Sequence, residues 1–200
     1  MLIHKKEIKL AVALARAVSI LLGLSSFEAR CEELRQNVFR LHIIANSNSE
    51  FDQALKLKVR DAVINETGDI YDMCTNIESA KEAAIKNKER IYNAAKSVIN
   101  AAGMDYEVEI EIGTAFFDTR HYETFSLPAG EYEALNIKIG EAKGKNWWCV
   151  MYPSLCIASS GAEISDVVSD DSAEIANNPQ NYVMRFKIVE IYEKLKKRFS

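Results

Sequence analysis

Apolar positions crowd the start of the chain and become periodic after it. Leu10 to Leu24 is apolar except for Arg16, Ser19 and Gly23, and His4, Lys5, Lys6 and Lys9 precede it. A basic start followed by a 15-residue apolar run reads as a secretory signal. The run is shorter than the roughly 18 residues that span a bilayer comfortably, and Arg16 at a membrane centre would cost about 2.5 to 3.5 kcal/mol. Gly23 and Ser25 offer the small side chains of a cleavage site, which makes Ser26 the expected mature N-terminus. The alternatives are an uncleaved N-terminal anchor and a buried amphipathic helix.

From Val38 to Ala45 the pattern alternates. Phe39, Leu41, Ile43 and Ala45 make one apolar face, while Arg40 and His42 share the other with Val38 and Ile44, as in a strand with one polar-tolerant face. Asn46 to Ser49 reads as a loop, and Ser49 followed by Asp52 starts a helix with Phe51, Leu55, Val59, Ala62 and Val63 on one side, ending before Gly68. A longer helix is expected to open with Thr75 and Glu78 as a capping box and to run unbroken to Gly103. Tyr106 to Ile112 alternates strictly, so Glu107, Glu109 and Glu111 line one strand face and need water or basic neighbours. Further strands are expected over Thr119–Phe125, Glu131–Ile139 and Trp147–Tyr152, with a turn at Leu127-Pro128-Ala129-Gly130.

This order predicts an α+β fold: a two-layer sandwich of a mainly antiparallel sheet with two long helices, plus a C-terminal amphipathic helix. The expected division is a signal peptide or anchor over 1–25, an α+β domain over 26–158, an acidic linker over 159–181 and a basic amphipathic helix over 182–200. The linker is suggested by Ser, Asp, Glu and Asn, including Asp166, Asp170 and Asp171. In the last helix Phe186, Val189, Ile191, Tyr192, Leu195 and Phe199 stand among six basic and two acidic residues. Such a helix offers a membrane-surface contact, or packs back onto its own domain.

Charge narrows the partners. The formal net charge is −4, and residues 1–25 carry +3, which leaves −7 on the remainder. No global basic field exists to neutralise phosphates, so nucleic acid is not an expected partner. Export would allow the four cysteines to be oxidised. Cys149 and Cys156, separated by a bend at Tyr152-Pro153, are the expected disulfide, and four free or buried thiols are the alternative.

No motif points to a cofactor or a metal. Gly140-Glu141-Ala142-Lys143-Gly144-Lys145-Asn146 has one residue too few between its glycines for a phosphate-binding loop, and Asn146 stands where that loop needs a hydroxyl. Only His42 and His121 follow the apolar run, so a zinc site would have to join both to Cys149 and Cys156 without short-range spacing. A nucleophile elbow is absent. The expected activity is therefore non-enzymatic, and the alternative is an exported hydrolase or cell-wall-binding protein using His42, Asp118, His121 and the tryptophan pair.

Two groups suggest a partner surface. Trp147 and Trp148 are an interface anchor or core filling. Arg40, His42, Asn46, Asp52, Gln53, Arg60 and Asp61, with Lys56, cluster about the junction of the first strand and its helix, where charge-assisted hydrogen bonds could hold a partner. A solvated helix face is the competing reading.

Three stretches carry a family resemblance: VFRLHIIANSNSEFDQALKLKVRDAV at 38–63, LPAGEYEALNIKIGEAKGKNWWCVMYPSLC at 127–156 and RFKIVEIYEKL at 185–195. In these the chain resembles the stage II sporulation protein R family. The resemblance implies a signalling protein made in the forespore and secreted into the space between the two membranes around it. There it is expected to activate a membrane-embedded aspartic-type protease of the mother cell, which processes the precursor of sporulation sigma factor E.

Overall fold

The computed structural model describes residues 2–155 and 161–199, with side chains from residue 5. A single helix, α1, runs over Leu2–Asn37, and its two parts differ. Ile8, Leu14 and Leu21 are exposed, whereas Phe27, Cys31 and Leu34 are buried at the spacing of four and three that aligns residues on one helix face. The change falls beside Ser25 and Ser26. By length and composition this helix could cross a membrane, which fits a signal sequence or an anchor.

Four strands form the main sheet: β1 (Phe39–Ile44), β2 (Val108–Phe117), β5 (Gly130–Ile139) and β6 (Asn146–Tyr152), in the order β2-β5-β1-β6. Between β2 and β5, the two-residue strands β3 (Arg120–His121) and β4 (Ser126–Leu127) pair as a separate ribbon. The β1–β5 pair is parallel, while β1–β6 and β2–β5 are antiparallel. The chain is thus a mixed helix and sheet protein with a mostly antiparallel sheet.

One sheet face bears Phe39, Leu41, Ile43, Leu135, Ile137, Ile139, Val108 and Ile110, packed under α2 (Glu50–Asp72), α3 (Ile77–Lys86) and α4 (Lys88–Ala101). The alternate residues point the other way, as strand geometry requires. There Phe117, Tyr132, Ala134 and Val150 join Val38 in a second core. The C-terminal part of α1, with α5 (Asp170–Asn177) and α6 (Val183–Phe199), covers it.

Helices on both faces replace the expected two layers with three. Residues 26–37 and 164–199 supply the missing layer. The segment expected as an acidic linker packs where it is described: Ile164, Ala173, Ile175 and Ala176 are buried. Glu33 of α1 accepts hydrogen bonds from Ser169 N at 2.7 Å, Ser169 Oγ at 2.7 Å and Ser172 Oγ at 2.6 Å, which fixes the start of α5. The acidic residues misled because they sit on an outer face while small apolar residues between them face inward.

Two further expectations are corrected. The long second helix breaks at Asn87, whose side chain donates to Ala83 O at 2.8 Å, and its capping box uses Asn76 and Ser79 rather than Thr75 and Glu78. Apolar spacing continues through the break, so it does not mark it. The expected strand over Thr119–Phe125 is reduced to the β3–β4 ribbon. By contrast, the glutamate face of β2 finds its basic neighbour: Lys138 lies 3.3 Å from Glu109 and 2.9 Å from Glu111.

Candidate functional site

The expected site residues fall into three groups. At the loop after β1, the Asp52 carboxylate accepts from Asn46 Nδ2 at 2.9 Å and Ser47 Oγ at 2.6 Å, and its backbone N–H donates to Ser49 Oγ at 3.1 Å. Gln53 donates to Ser47 O at 2.8 Å, and Lys56 donates to Gln53 at 2.7 Å and to Lys145 O at 2.9 Å. Asn46 Oδ1 accepts from Glu141 N at 3.0 Å. These bonds lock the 45–49 loop to the 140–145 loop. Gly140, at φ +56°, has no room for a side chain, because a Cβ would stand 2.3 Å from Asn46 Oδ1.

Asp52 and Lys56 are both 4 % exposed. Burial would raise the Asp52 pKa, yet the hydrogen bonds from Ser47, Asn46, Tyr106 and Ser49 outweigh it and hold the carboxyl below its usual value. Burial and the Lys145 charge lower the Lys56 pKa. Asp52 was expected as a partner contact; its carboxylate is engaged by its own loop, because a carboxylate at a helix start meets the backbone and side-chain donors of that loop first.

On the side covered by α2–α4, Arg60 lies over the Trp147 ring, 4.4 Å from its centroid, with a nitrogen 2.6 Å from Asp61. Arg60 and Asp61 keep 22 % and 57 % side-chain exposure. This pair is open to a partner.

The third group stands on the opposite sheet face, because neighbours in a strand point oppositely and Trp148 therefore parts from Trp147. Strand register aligns Glu111, Asn136, His42 and Trp148 in one row across the sheet, and Gly113, Ala134, Arg40 and Val150 in the next. His42 Nδ1 donates to Asn136 Oδ1 at 3.0 Å, and the imidazole stacks on Trp148 with centroids 3.9 Å apart. Arg120, from β3, lies 4.8 Å above the Trp148 ring. Burial lowers the His42 pKa and the charges of Arg40 and Arg120 add to it, against the amides of Asn146 and Asn136.

Arg40 was expected at the surface and is 0 % exposed. Its guanidinium lies 4.0 Å from the Phe117 centroid, 4.7 Å from Tyr132 and 6.0 Å from Tyr122, and donates to Tyr122 Oη at 2.5 Å. Nε and Nη1 are buried without a hydrogen bond, as are Arg120 Nε and His42 Nε2. Burying a charge costs several kcal/mol, and each aromatic face returns about 0.5 to 2 kcal/mol. The cage offsets part of that cost and leaves two guanidinium nitrogens unpaired, each worth about 1 to 3 kcal/mol of lost solvation.

The alternation pattern could not reveal this depth, since a long chain in a polar-tolerant strand position reads as surface. Arg120 carries no sequence signal at all. Asn136 did carry one: with Lys138 it makes the polar side of the alternation from Leu135 to Ile139.

The hydrolase residues are each engaged separately. His42 binds Asn136, His121 Nδ1 lies 2.7 Å from Ser126 Oγ, and Asp118 pairs with Lys194 at 2.9 Å. Among the described residues no three of His, Cys, Asp and Glu are grouped to hold a metal ion. Cys31 and Cys74 are free thiols, and burial pushes Cys31 up to about 12. Cys149 is disulfide-bonded, and Cys156, expected as its partner, lies outside the described residues.

Together these features define a small mixed helix and sheet domain carried on an exposed apolar helix, with polar clusters suited to binding. The family model for stage II sporulation protein R matches residues 35–162, and the chain belongs to that family. It is also similar to the stage II sporulation protein R of Bacillus subtilis (strain 168), with 38 % identity over 117 residues, which cover 58 % of this chain and 52 % of that protein. The chain thus spans about half the length of this curated relative. No solved structure matches it. The family is named for sporulation and not for an enzyme class.

Proposed function

We propose that this protein is an exported signalling protein of the forespore that activates a membrane-embedded aspartic-type protease of the mother cell, which then processes the precursor of sporulation sigma factor E. Export would deliver it to the space between the two forespore membranes. The observation that carries this reading is the division of α1: an apolar part left outside the core up to about residue 25, then a part built into the domain. Membership of the sporulation family supports the developmental role. Activation needs no chemistry of its own, only higher affinity for the active state of the protease than for the resting one.

Two contacts serve this role. Arg60 with Trp147, and Arg120 with Trp148, present stacked cationic and aromatic groups to a protein partner. The outer face of α6 leaves Met184, Ile188, Ile191, Leu195 and Phe199 exposed among basic residues, which suits contact with an anionic membrane surface. A Cys149–Cys156 disulfide would hold the end of β6.

The test is co-expression with the protease and the sigma-factor precursor in a non-sporulating host, scoring processing. Processing should require the full chain, and a chain lacking residues 2–25 should remain cytoplasmic and silent. Full processing by that cytoplasmic form would overturn the reading.

A further inference from the structure

The uncompensated charge of Arg40 has a structural setting that points to a ligand. Rows of the sheet place it beside Ala134 and Gly113 on the face that carries Asn136, His42 and Trp148. His42, Arg120 and Trp148 are each only part-buried, so the sheet face is open to solvent where they meet. Phe117 joins the parts, with its ring 4.0 Å from the Arg40 guanidinium, 4.8 Å from Trp148 and 6.0 Å from His42.

We propose that this open part of the sheet face binds a carboxylate presented by an acidic peptide segment of the partner, with Arg120 contacting it, Trp148 and His42 forming its wall, and Arg40 supplying buried positive charge beneath. This inference rests on the proposed role as a protein activator and names the chemistry of its contact.

Three observations carry it. Arg40 has no carboxylate within 4.0 Å among the described residues, and its Nε and Nη1 are buried without acceptors. Unpaired buried donors of this kind are rare in folded proteins and call for an acceptor. Arg120 repeats the pattern, with Nε unpaired and its planar group stacked on Trp148; stacking leaves the N–H edge of a guanidinium free for a planar acceptor. Finally, a single carboxylate fits the local charge better than a polyanion does. Glu109 and Glu111 flank the same face and would repel a phosphate-rich chain, while Lys138 already neutralises them in part.

The experiment uses the full chain in neutral detergent at constant ionic strength. An acetylated and amidated peptide containing Glu is titrated against it, followed by tryptophan emission and by the ring resonances of His42. The same peptide with Gln in place of Glu, and sodium phosphate, are the comparators. The Glu peptide should give a saturable change, with at least tenfold weaker response to either comparator. Arg120→Gln should weaken binding at least tenfold without moving the melting temperature, and Arg120→Lys should restore part of it.

Equal response to the Gln peptide or to phosphate, no saturable response to the Glu peptide, or unchanged binding by Arg120→Gln would each overturn the proposal. Peptide binding without precursor processing in the host would leave the carboxylate site standing and remove the activator role. Processing without peptide binding would do the reverse.

Discussion

Arg35 and Arg40 stand five positions apart, and both are buried, at 4 % and 0 % exposure. Arg35, near the end of α1, donates to Glu32 and to Ala129 O, each at 2.9 Å, contacts Glu28, and has Glu193 of α6 at 4.0 Å. Its charge is met on every side, and it joins α1, the turn before β5 and α6. Arg40, inside β1, has aromatic rings, one hydroxyl and two unpaired nitrogens. A charge neutralised within the fold serves the fold. One left without a counter-charge burdens it, and such burdens concentrate where a protein binds something.

The contrast is broken most forcefully at Arg35. Arg35→Met should destabilise the protein by about 3 kcal/mol, because Glu193, 5 % exposed at its side chain, would be left buried beside Glu28 with only the exposed Lys196, 3.8 Å away, as a cation. In a chain of this size that lowers Tm by roughly 6 to 12 °C. The pH dependence has a definite sign. Burial already raises the Glu193 pKa, with Arg35 opposing it, so removing Arg35 raises it further. A folded state that binds the extra proton gains stability as pH falls through that folded pKa and loses it as pH rises. Thermal melts should therefore show a larger deficit at pH 8 than at pH 5; an equal deficit at both would remove Glu193 from the explanation.

Asp52→Ala tests the other satisfied cluster. The donors of Asn46 and Ser47 would lose their acceptor, at a cost of about 2 kcal/mol. Signalling should fall in step with melting temperature rather than independently of it. In the native protein the depressed Asp52 pKa contributes stability above the unfolded carboxyl pKa, and that contribution is lost as pH falls through the folded value. Asp52→Asn should flatten this acid limb in urea-unfolding curves measured across pH.

How much of this could be read beforehand depends on whether a signal was local. β1, β5 and the start of α2 follow from alternation and helical spacing within single stretches, and the Ser49 cap from its pairing with Asp52 three positions on; the end expected before Gly68 was wrong, since α2 carries this glycine inside it and runs to Asp72. In the third layer α6 followed from its own spacing, but the α1 and α5 parts did not, because Phe27 and Ile175 show their apolar face only against the rest of that layer. The site residues divided the same way. Sequence proximity gathered Arg40, His42, Asn46 and Asp52 into one cluster. Strand geometry then sent them to different surfaces, and brought in Arg120, Phe117 and Asn136 from far along the chain.

Arg60→Ala should cost only about 0.5 to 1 kcal/mol, the worth of a part-exposed cation over an indole. If Arg60 and Trp147 contact the partner, precursor processing should fall by more than this small change in stability explains. Processing that tracks stability alone would return the pair to the fold.

The smallest expected effect on stability belongs to Arg40→Met, and it completes the comparison. Methionine keeps an unbranched chain among Phe117, Tyr132 and Tyr122 and removes a desolvated charge with no counter-ion. Replacing a buried ionic group by an apolar one of similar shape is commonly neutral or stabilising, so the unfolding free energy should lie within about 1 kcal/mol of the parent's, or above it, while binding of an acidic peptide is lost. The same substitution at Arg35 is expected to do the opposite, harming the fold through the carboxylates it abandons. If Arg40→Met instead unfolds the protein as Arg35→Met does, the aromatic cage compensates the guanidinium fully. Arg40 would then be a second structural arginine, and the open face beside it would lose its claim to an anionic ligand.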